Sequence, residues 1–401
     1  MKKKEGLKLS DIIILGVLCF FGYKFFTLNN IDNKNDIFNK DKEYNRTILI
    51  YMAPADLESD GGFASSNLAG IDPGKFDFEH NNLIVLAGGT NKWYNDFSKD
   101  TKAYRFTKDG FKEEYGFNIV NKNMGDANTL GDFLDYATDK YKADYNYLFF
   151  YGHGSGVSGI MYDEVYNDLL SLDEMINVLS FANIKKFEII GLNSCMASNI
   201  ELLMNMAIYT KYIIASEEIA WVTNKSFFSF LNDLDSKTGT IDFGKSFIDR
   251  YKISVDNIYA DHQMGLIDTT NLQITLASLN TLFEKINIDR DYNNILTIRA
   301  KMHQFGMEEK SFDEVDLYDL MNNLMSYDKD TVNKFNKKYD DVMVYNYSNR
   351  DYMHGVSIYF PYLNNNQDYV PDLPIYLKYT KNGYYSFIRK FMEKQGIKYN
   401  Y

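Results

Sequence analysis

Short and almost entirely apolar segments recur in the first half of this chain, separated by turns and by residues with helical spacing. They occupy residues 47–53, 82–87, 147–152, 187–192 and 212–216. Segments of this kind are typical of strands that are covered on both faces. Strands that alternate with helices form mostly parallel sheets with helices on both sides, so the pattern predicts an α/β fold.

The segments between these strands have the periodicity of amphipathic helices. Residues 128–141 carry apolar side chains at intervals of three and four positions, which form one face of a helix. Residues 171–181 begin with Ser171 and Glu174, whose spacing is that of a capping box. A further helix is predicted at residues 200–208. These helices supply the outer layers that an α/β sheet needs.

The rest of the chain is less regular. Residues 102–120 alternate loosely and predict a hairpin, residues 242 to about 346 predict mainly helix, and residues 356–360 predict a late strand. Because no linker separates the second half, we expect it to complete the same domain. The predicted divisions are 1–28 (export signal or membrane anchor), 29–45 (polar linker), 46–236 (α/β core) and 237–401 (helical C-terminal subdomain with a late strand).

The N-terminus has the pattern of an export signal. Lysines at positions 2, 3, 4 and 8 precede an apolar stretch over residues 12–28, about the shortest length that spans a bilayer. No small residues typical of a cleavage site follow it. We therefore favour an uncleaved anchor that holds the protein on the membrane at the cell surface, with a cleaved and secreted protein as the second choice. Either way, the remaining residues are expected outside the cytoplasm.

Charge and cysteine content argue against a nucleic-acid-binding protein and against a disulfide-stabilised fold. The chain has a formal net charge of −12 over 401 residues, and no face shows the clustering of Lys and Arg that neutralises phosphates, so we expect no nucleic-acid partner. The two cysteines are Cys19, which lies in the N-terminal apolar stretch, and Cys195. A disulfide within the folded part is therefore excluded.

Two of the predicted strands end on residues that suit nucleophilic catalysis. Residues 147–152 lead directly to His153, and residues 187–192 end shortly before Cys195. Because the carboxyl ends of parallel strands meet at one edge of a sheet, we expect the imidazole and the thiol side by side. Cys195 also falls at the start of a predicted helix, whose dipole is expected to favour the thiolate.

The glycine after His153 fits the same chemistry. Gly154 lets the backbone come close to a bound group, and its N–H can join the N–H of Cys195 in an oxyanion hole. The remaining histidines lack such a strand-end setting and are interpreted as surface or packing residues: His80, His262, His303 and His354.

Other motifs are weaker. Residues 154–159 match the dinucleotide-binding pattern G-x-G-x-x-G, but no clear helix follows them. No cysteine and histidine cluster is available for zinc, and the sequence requires no cofactor. The acidic residues in 56–60 could bind calcium, although a solvated face is the favoured interpretation.

Seven short segments also occur in a characteristic order. They are Tyr51-Met52-Ala53 with Asp56-Leu57-Glu58, Asn123-Met124-Gly125-Asp126, His153-Gly154-Ser155-Gly156, Leu172-Asp173-Glu174, Ser194-Cys195-Met196, Ala215-Ser216-Glu217-Glu218 and Gly355-Val356-Ser357-Ile358-Tyr359-Phe360-Pro361. Together they resemble the clostripain-type cysteine peptidases, in the clan of the caspases, legumains and gingipains. The resemblance extends over about residues 46–392.

The resemblance implies a fold and a set of roles. The fold would be a caspase-like α/β/α sandwich, and the reaction would be hydrolysis of peptide bonds in a polypeptide substrate. Cys195 would be the nucleophile and His153 the general acid and base. The N–H groups of Gly154 and Cys195 would form the oxyanion hole.

One departure from the family concerns substrate preference. The family usually has an aspartate two residues before the nucleophile, at the floor of the primary specificity pocket, where it pairs with arginine or lysine. Here that residue is Asn193, which is neutral. Loss of a charge-assisted pair predicts a weakened preference for basic residues, unless an acid supplies the charge. The candidate acids are Asp56, Glu217 and Glu218.

A second departure concerns maturation. Members of the family often cut themselves after a basic residue in the loop between the two catalytic residues. Between His153 and Phe181 this chain has no Lys or Arg, and Lys185 and Lys186 come just before the next predicted strand. We therefore expect no self-cleavage in that loop.

These observations predict an exported, membrane-anchored cysteine endopeptidase. The alternative is a surface protein that keeps the fold and binds peptides with weak or no turnover. Retention of both Cys195 and His153 favours the enzyme.

Overall fold

The computed structural model describes residues 45–117, 122–184, 186–307, 310–311, 313–362 and 383–397. The predicted export segment, and all but the last residue of the predicted linker, lie outside these ranges. Within them, no helix combines the length and the apolar character that crossing a membrane requires.

Strands and helices alternate through the first half of the described chain. The strands are β1 Arg46–Ala53, β2 Asn81–Ala87, β3 Lys102–Thr107, β4 Gly110–Glu113, β5 Tyr145–Gly152, β6 Ile160–Asp163, β7 Asp168–Leu170, β8 Phe187–Asn193, β9 Thr210–Ala215, β10 Gln263–Asp268, β11 Gly306–Met307, β12 Lys310–Ser311, β13 Glu314–Asp316, β14 Met343–Ser348 and β15 Ser357–Tyr359. The helices are α1 Asp56–Ser59, α2 Phe63–Leu68, α3 Ala127–Lys140, α4 Leu172–Phe181, α5 Ile200–Met206, α6 Thr240–Ser254, α7 Leu272–Glu284, α8 Ile288–Arg299, α9 Leu317–Asn323, α10 Lys329–Val342 and α11 Gly383–Gln395.

The central sheet has nine strands in the order β14-β10-β9-β8-β5-β1-β2-β3-β4. The strands β9, β8, β5, β1 and β2 in its middle pair in parallel. Only β3 and β10 run against the others, because each pairs antiparallel with both of its neighbours. The predicted α/β fold with a mostly parallel sheet is confirmed.

The middle strands are buried on both faces, as their apolar sequences predict. In β1, Leu49 and Tyr51 point into one core, which also contains side chains of α3, α4 and α5. Ile48, Ile50 and Met52 point into a second core, which contains side chains of α2 and α6. This alternation follows from the two-residue period of a strand and produces the three layers of an α/β/α sandwich.

Two predicted helices begin close to their predicted positions. The hydroxyl of Ser171 accepts the N–H of Glu174, and the Glu174 carboxylate accepts the N–H of Ser171, which confirms the capping box. The helix α3 begins after Asp126, whose carboxylate accepts the N–H of Asn128 at 2.7 Å. Satisfied first-turn N–H groups fix both helix starts.

The second half of the chain contains strands that the helical prediction missed. The strands β10 and β14 extend the central sheet beyond β9, so the C-terminal part completes the same domain. Every side chain of β14 is half-buried, which leaves no apolar alternation for sequence analysis to detect. The predicted late strand is present as β15, but it pairs with β13 in a separate two-stranded sheet.

The predicted hairpin is also present in part. The strands β3 and β4 pair antiparallel through a tight turn that includes Gly110. Residues 118–121, near the end of the predicted hairpin, lie outside the described residues.

Candidate active site

Three neighbouring strands of the sheet end at one edge and carry the candidate residues on their following loops. The sheet order places β5 between β8 and β1. Cross-strand register pairs Ala53 of β1 with Gly152 of β5, and Tyr151 of β5 with Asn193 of β8. The loops that follow therefore start side by side, and the expected position of His153 next to the Cys195 loop follows from this pairing.

The imidazole of His153 has a defined partner in the loop after β1. Its Nε2 lies 2.6 Å from Oδ1 of Asp56. Both side chains reach solvent, with 37% of the His153 side chain and 58% of the Asp56 side chain exposed. The backbone turns back immediately, since the N–H of Met161 donates to the carbonyl of His153 at 2.7 Å. This backbone hydrogen bond fixes the position from which the imidazole projects.

Gly154 lies directly against the loop of Cys195. A Cβ at position 154 would lie 2.4 Å from Oγ of Ser194 and 3.1 Å from the carbonyl oxygen of Cys195. Only glycine allows this approach without displacement of one loop. The structure thus brings the two candidate loops into contact, although its described hydrogen bonds do not include one between the His153 ring and the Cys195 thiol.

Cys195 lies in a tight turn just after β8. The next residue, Met196, has a φ of 57°, which is unusual for a residue with a side chain. Its N–H donates to the carbonyl of Glu218, and the N–H of Ser198 donates to the carbonyl of Ser216. The turn that carries the thiol is therefore attached by main-chain hydrogen bonds to the loop after β9.

The expected activation of this thiol by a helix dipole is wrong. The helix α5 begins at Ile200, and a turn separates it from Cys195. Burial raises the pKa of the Cys195 thiol, the nearby Glu218 carboxylate raises it further, and the N–H of Ala220 partly opposes them. The resting environment therefore favours the neutral thiol, because desolvation and a nearby negative charge both disfavour the thiolate.

The two polar residues before the thiol have unused hydrogen-bonding atoms. Asn193 is 6% exposed and Ser194 is 2% exposed. Neither Oδ1 of Asn193 nor Oγ of Ser194 has a hydrogen-bond partner among the described residues. Buried polar atoms normally find partners, so these two are candidates to contact a bound group.

The three acids considered for the pocket charge have different surroundings. Asp56 contacts His153. Glu217 is fully buried and accepts the N–H of Gly355 at 2.7 Å. Burial and the charge of Asp316 raise the pKa of Glu217 well above its usual range. Of the three, Glu218 is the one whose charge acts on the Cys195 thiol.

Further polar side chains near Glu218 were missed by sequence analysis. Nε2 of His303 lies 4.0 Å from Oε2 of Glu218 and 3.4 Å from Oδ2 of Asp261. The His303 ring also lies on the ring of Tyr352, with 4.2 Å between centroids. Tyr352 and Cys195 both pack against the same small apolar cluster. These residues come from distant parts of the chain, so no local motif connects them to the thiol.

A possible metal-binding group lies elsewhere. Asp316, Asp319 and His354 have ligand atoms within reach of one another. The carboxylate of Asp316, however, already accepts the N–H of Asp319 at the start of α9 and the N–H of His354. Asp316 therefore caps α9 and binds the backbone of His354, and these contacts explain why the three side chains lie together.

Comparisons with known proteins identify a family and a shared fold. The sequence model of the clostripain family matches residues 50–398. A secreted C11 cysteine protease from Bacteroides thetaiotaomicron, solved with an irreversible peptide inhibitor, is 17% identical with a TM-score of 0.61, and the match covers 80% of this chain and 94% of that one. An inactive zymogen C11 protease from Parabacteroides distasonis is 18% identical with a TM-score of 0.63, with 80% and 92% covered.

No curated protein gives a significant match. At these identities the solved structures show a shared fold, whereas the family model matches most of the chain directly. The chain therefore belongs to the clostripain family of cysteine peptidases.

Proposed function

We propose that this protein hydrolyses peptide bonds with Cys195 as the nucleophile and His153 as the general acid and base. The observation that carries the proposal is the contact of Gly154 with Ser194 and Cys195, which joins the two loops at neighbouring strand ends. On such loops, the histidine can take the proton of the cysteine thiol while the sulfur attacks a substrate carbonyl.

In the acylation step, His153 takes the proton of the Cys195 thiol as the sulfur attacks the carbonyl carbon of the substrate. The carbonyl π electrons move to oxygen, and the N–H groups of Gly154 and Cys195 stabilise that oxyanion. When the tetrahedral intermediate collapses, the C–N bond breaks and His153 gives its proton to the leaving amine. A thioester on Cys195 remains.

In the deacylation step, His153 accepts a proton from water as the oxygen attacks the thioester carbon. The C–S bond breaks, His153 returns the proton to the sulfur, and the carboxylic product leaves. Each step balances with side chains and water alone, so the proposal includes no cofactor. The raised pKa of the resting thiol favours transfer of its proton to His153 as the sulfur attacks.

The substrate class in this proposal is a polypeptide. The Bacteroides thetaiotaomicron structure with a peptide inhibitor supports it, since the two chains share a fold. The floor of the primary pocket would be Asn193, whose free Oδ1 suits a neutral hydrogen-bond donor. Glu218 is the acid best placed to attract a basic side chain, because its charge already acts on Cys195.

Export remains part of the proposal. The lysines and the apolar stretch at the N-terminus support it, as does the secreted relative from Bacteroides thetaiotaomicron. Because no cleavage-site pattern follows the apolar stretch, we favour an exported protein that residues 12–28 retain at the membrane.

The test is peptidase activity of the full chain on a peptide library, followed by mass spectrometry. Wild type is expected to cut, and Cys195→Ala and His153→Ala are each expected to lose at least about 100-fold in kcat/KM. His80→Ala is the matched control, because His80 pairs with Asp77 away from this edge. Cleavage by Cys195→Ala at the rate of wild type would refute the proposal.

A further inference from the structure

We propose that Asp56 is a positioning residue that holds the His153 imidazole in its working tautomer and orientation. This inference rests on the proposed function, because it concerns the same histidine. The observation behind it is the distance of 2.6 Å between Oδ1 of Asp56 and Nε2 of His153.

This contact determines which ring nitrogen carries the proton. A carboxylate can only accept, so the His153 nitrogen that faces it must be the donor. In the neutral ring Nε2 is then protonated, and Nδ1 keeps its lone pair. Nδ1 is therefore the nitrogen left to take the thiol proton and return it to the leaving group.

Strand order places the three groups in a row. Asp56 follows β1, His153 follows β5 and Cys195 follows β8, and β5 lies between the other two strands. Asp56 thus approaches His153 from the side opposite the Cys195 loop. A group on that side can orient the ring without entering the space where the substrate carbonyl must sit.

The loop that carries Asp56 is held in a strained conformation. Ala55 is buried with a φ of 49°, a region that side-chain-bearing residues rarely adopt. Oγ1 of Thr90 lies 2.9 Å from the carbonyl oxygen of Ala55. Strain of this kind persists where the surrounding structure fixes it, and it clusters at functional sites.

A buried carboxylate anchors the same loop. Glu58 is fully buried, and its side chain accepts the N–H of Ser65 at 2.9 Å and the N–H of Tyr94 at 2.8 Å. These bonds attach the short helix α1 to two other segments. Asp56 is therefore presented from a rigid support, as a positioning group requires.

The exposure of the pair excludes a large role in stability. Both side chains are more than a third exposed, and exposed polar pairs contribute little to folding. Removal of the Asp56 carboxylate should therefore leave the fold intact. The alternative role for Asp56 is to attract the basic side chain of a substrate. It can be distinguished from positioning, because its loss would weaken the binding of basic peptides only.

The experiment compares Asp56→Ala and Asp56→Asn with wild type, with Asp60→Ala, an exposed acid directly after α1, as the matched control. We expect kcat of Asp56→Ala to fall about 10- to 100-fold on basic and neutral peptides alike, with little change in KM. Asp56→Asn can still accept from Nε2, so we expect a smaller fall. Thermal unfolding midpoints should match wild type in all three variants.

A spectroscopic readout separates positioning from a general loss of activity. Two-bond proton–nitrogen NMR of the full chain with labelled histidine, at a pH where imidazole is neutral, reports the tautomer of each of the 5 histidines. The His153 signal, assigned by its loss in His153→Ala, is expected as the Nε2-protonated form in wild type and as a mixture in Asp56→Ala.

Two outcomes would overturn the inference while leaving the proposed function intact. One is wild-type kcat and an unchanged tautomer in Asp56→Ala, in a protein whose activity still needs His153 and Cys195. The other is a rise in KM confined to basic peptides, which would make Asp56 a substrate-binding residue. Loss of the proposed function itself would appear differently, as hydrolysis by wild type that does not depend on Cys195.

Discussion

The carboxylate of Glu218 accepts the N–H of Gly306, with 3.1 Å between Oε1 and the nitrogen. It also accepts the N–H of Ile219 at 2.8 Å. Burial raises the pKa of Glu218 to about 7, so its charge changes near neutral pH. Because this charge raises the pKa of the Cys195 thiol, the loop after β9 links the protonation of an acid to the reactivity of the candidate nucleophile.

Replacement of this acid should make the thiol more acidic. In Glu218→Gln the negative charge is lost while the shape is kept, so the pKa of Cys195 should fall. The measurement is the rate of alkylation of the Cys195 peptide by iodoacetamide as a function of pH, followed by mass spectrometry. The profile should move to lower pH in Glu218→Gln and stay in place in the exposed control Glu79→Gln. A move to higher pH would contradict the prediction.

Stability should fall as pH rises through the range where a second buried acid ionises. Glu201 is 1% exposed, and burial raises its pKa from 4.5 to about 7. Its protonated form stabilises the fold fully below pH 4.5, and that contribution is lost as pH rises to about 7. The cost at pH 8 is on the order of 3 kcal/mol.

The matching variant is Glu201→Gln, which cannot ionise. Urea unfolding should show a higher free energy of unfolding than wild type at pH 8 and a similar one at pH 4. Glu79→Gln should follow wild type at both values. An equal difference from wild type at both pH values would rule out ionisation of Glu201 as the cause.

Substrate preference should respond to the residue before the Ser-Cys pair. A carboxylate at position 193 would form a charge-assisted pair with a basic side chain, so Asn193→Asp should raise kcat/KM for arginine and lysine peptides about 10- to 100-fold. Peptides with neutral residues at the cleavage site serve as the internal control. The prediction fails if wild type already prefers arginine as strongly as the variant does.

The segment between His153 and Phe181 should stay intact during maturation, because it contains no Lys or Arg. Purified wild type and Cys195→Ala should both show an uncut chain in this region by intact mass. A wild-type preparation that splits there, beside an uncut Cys195→Ala preparation, would contradict the prediction.

Sequence patterns predicted the elements whose signals are local. The apolar runs of β5 and β8 predicted adjacent buried strands, and the spacing of Ser171 and Glu174 predicted the start of α4. The strand β14 was missed because its side chains are all half-buried at the sheet edge. Its pairing with β10 depends on tertiary contacts that leave no two-residue apolar pattern.

For the candidate site, too, the sequence predicted only what depends on local signals. Strand ends predicted that the loops of His153 and Cys195 are neighbours, as the structure has them. The contact of Asp56 with His153 could not be predicted, because it joins residues 97 positions apart through the order of three strands. The raised pKa of Cys195 was also missed, since it arises from burial and from Glu218 rather than from the following helix.

The most direct test of the account is active-site labelling of Cys195 by a peptidyl electrophile. Labelling of the Cys195 peptide should be rapid in wild type and in the control His80→Ala, and should be lost in His153→Ala, because attack requires transfer of the thiol proton to His153. Equal labelling rates in wild type and His153→Ala would contradict the account and leave Cys195 an incidental thiol.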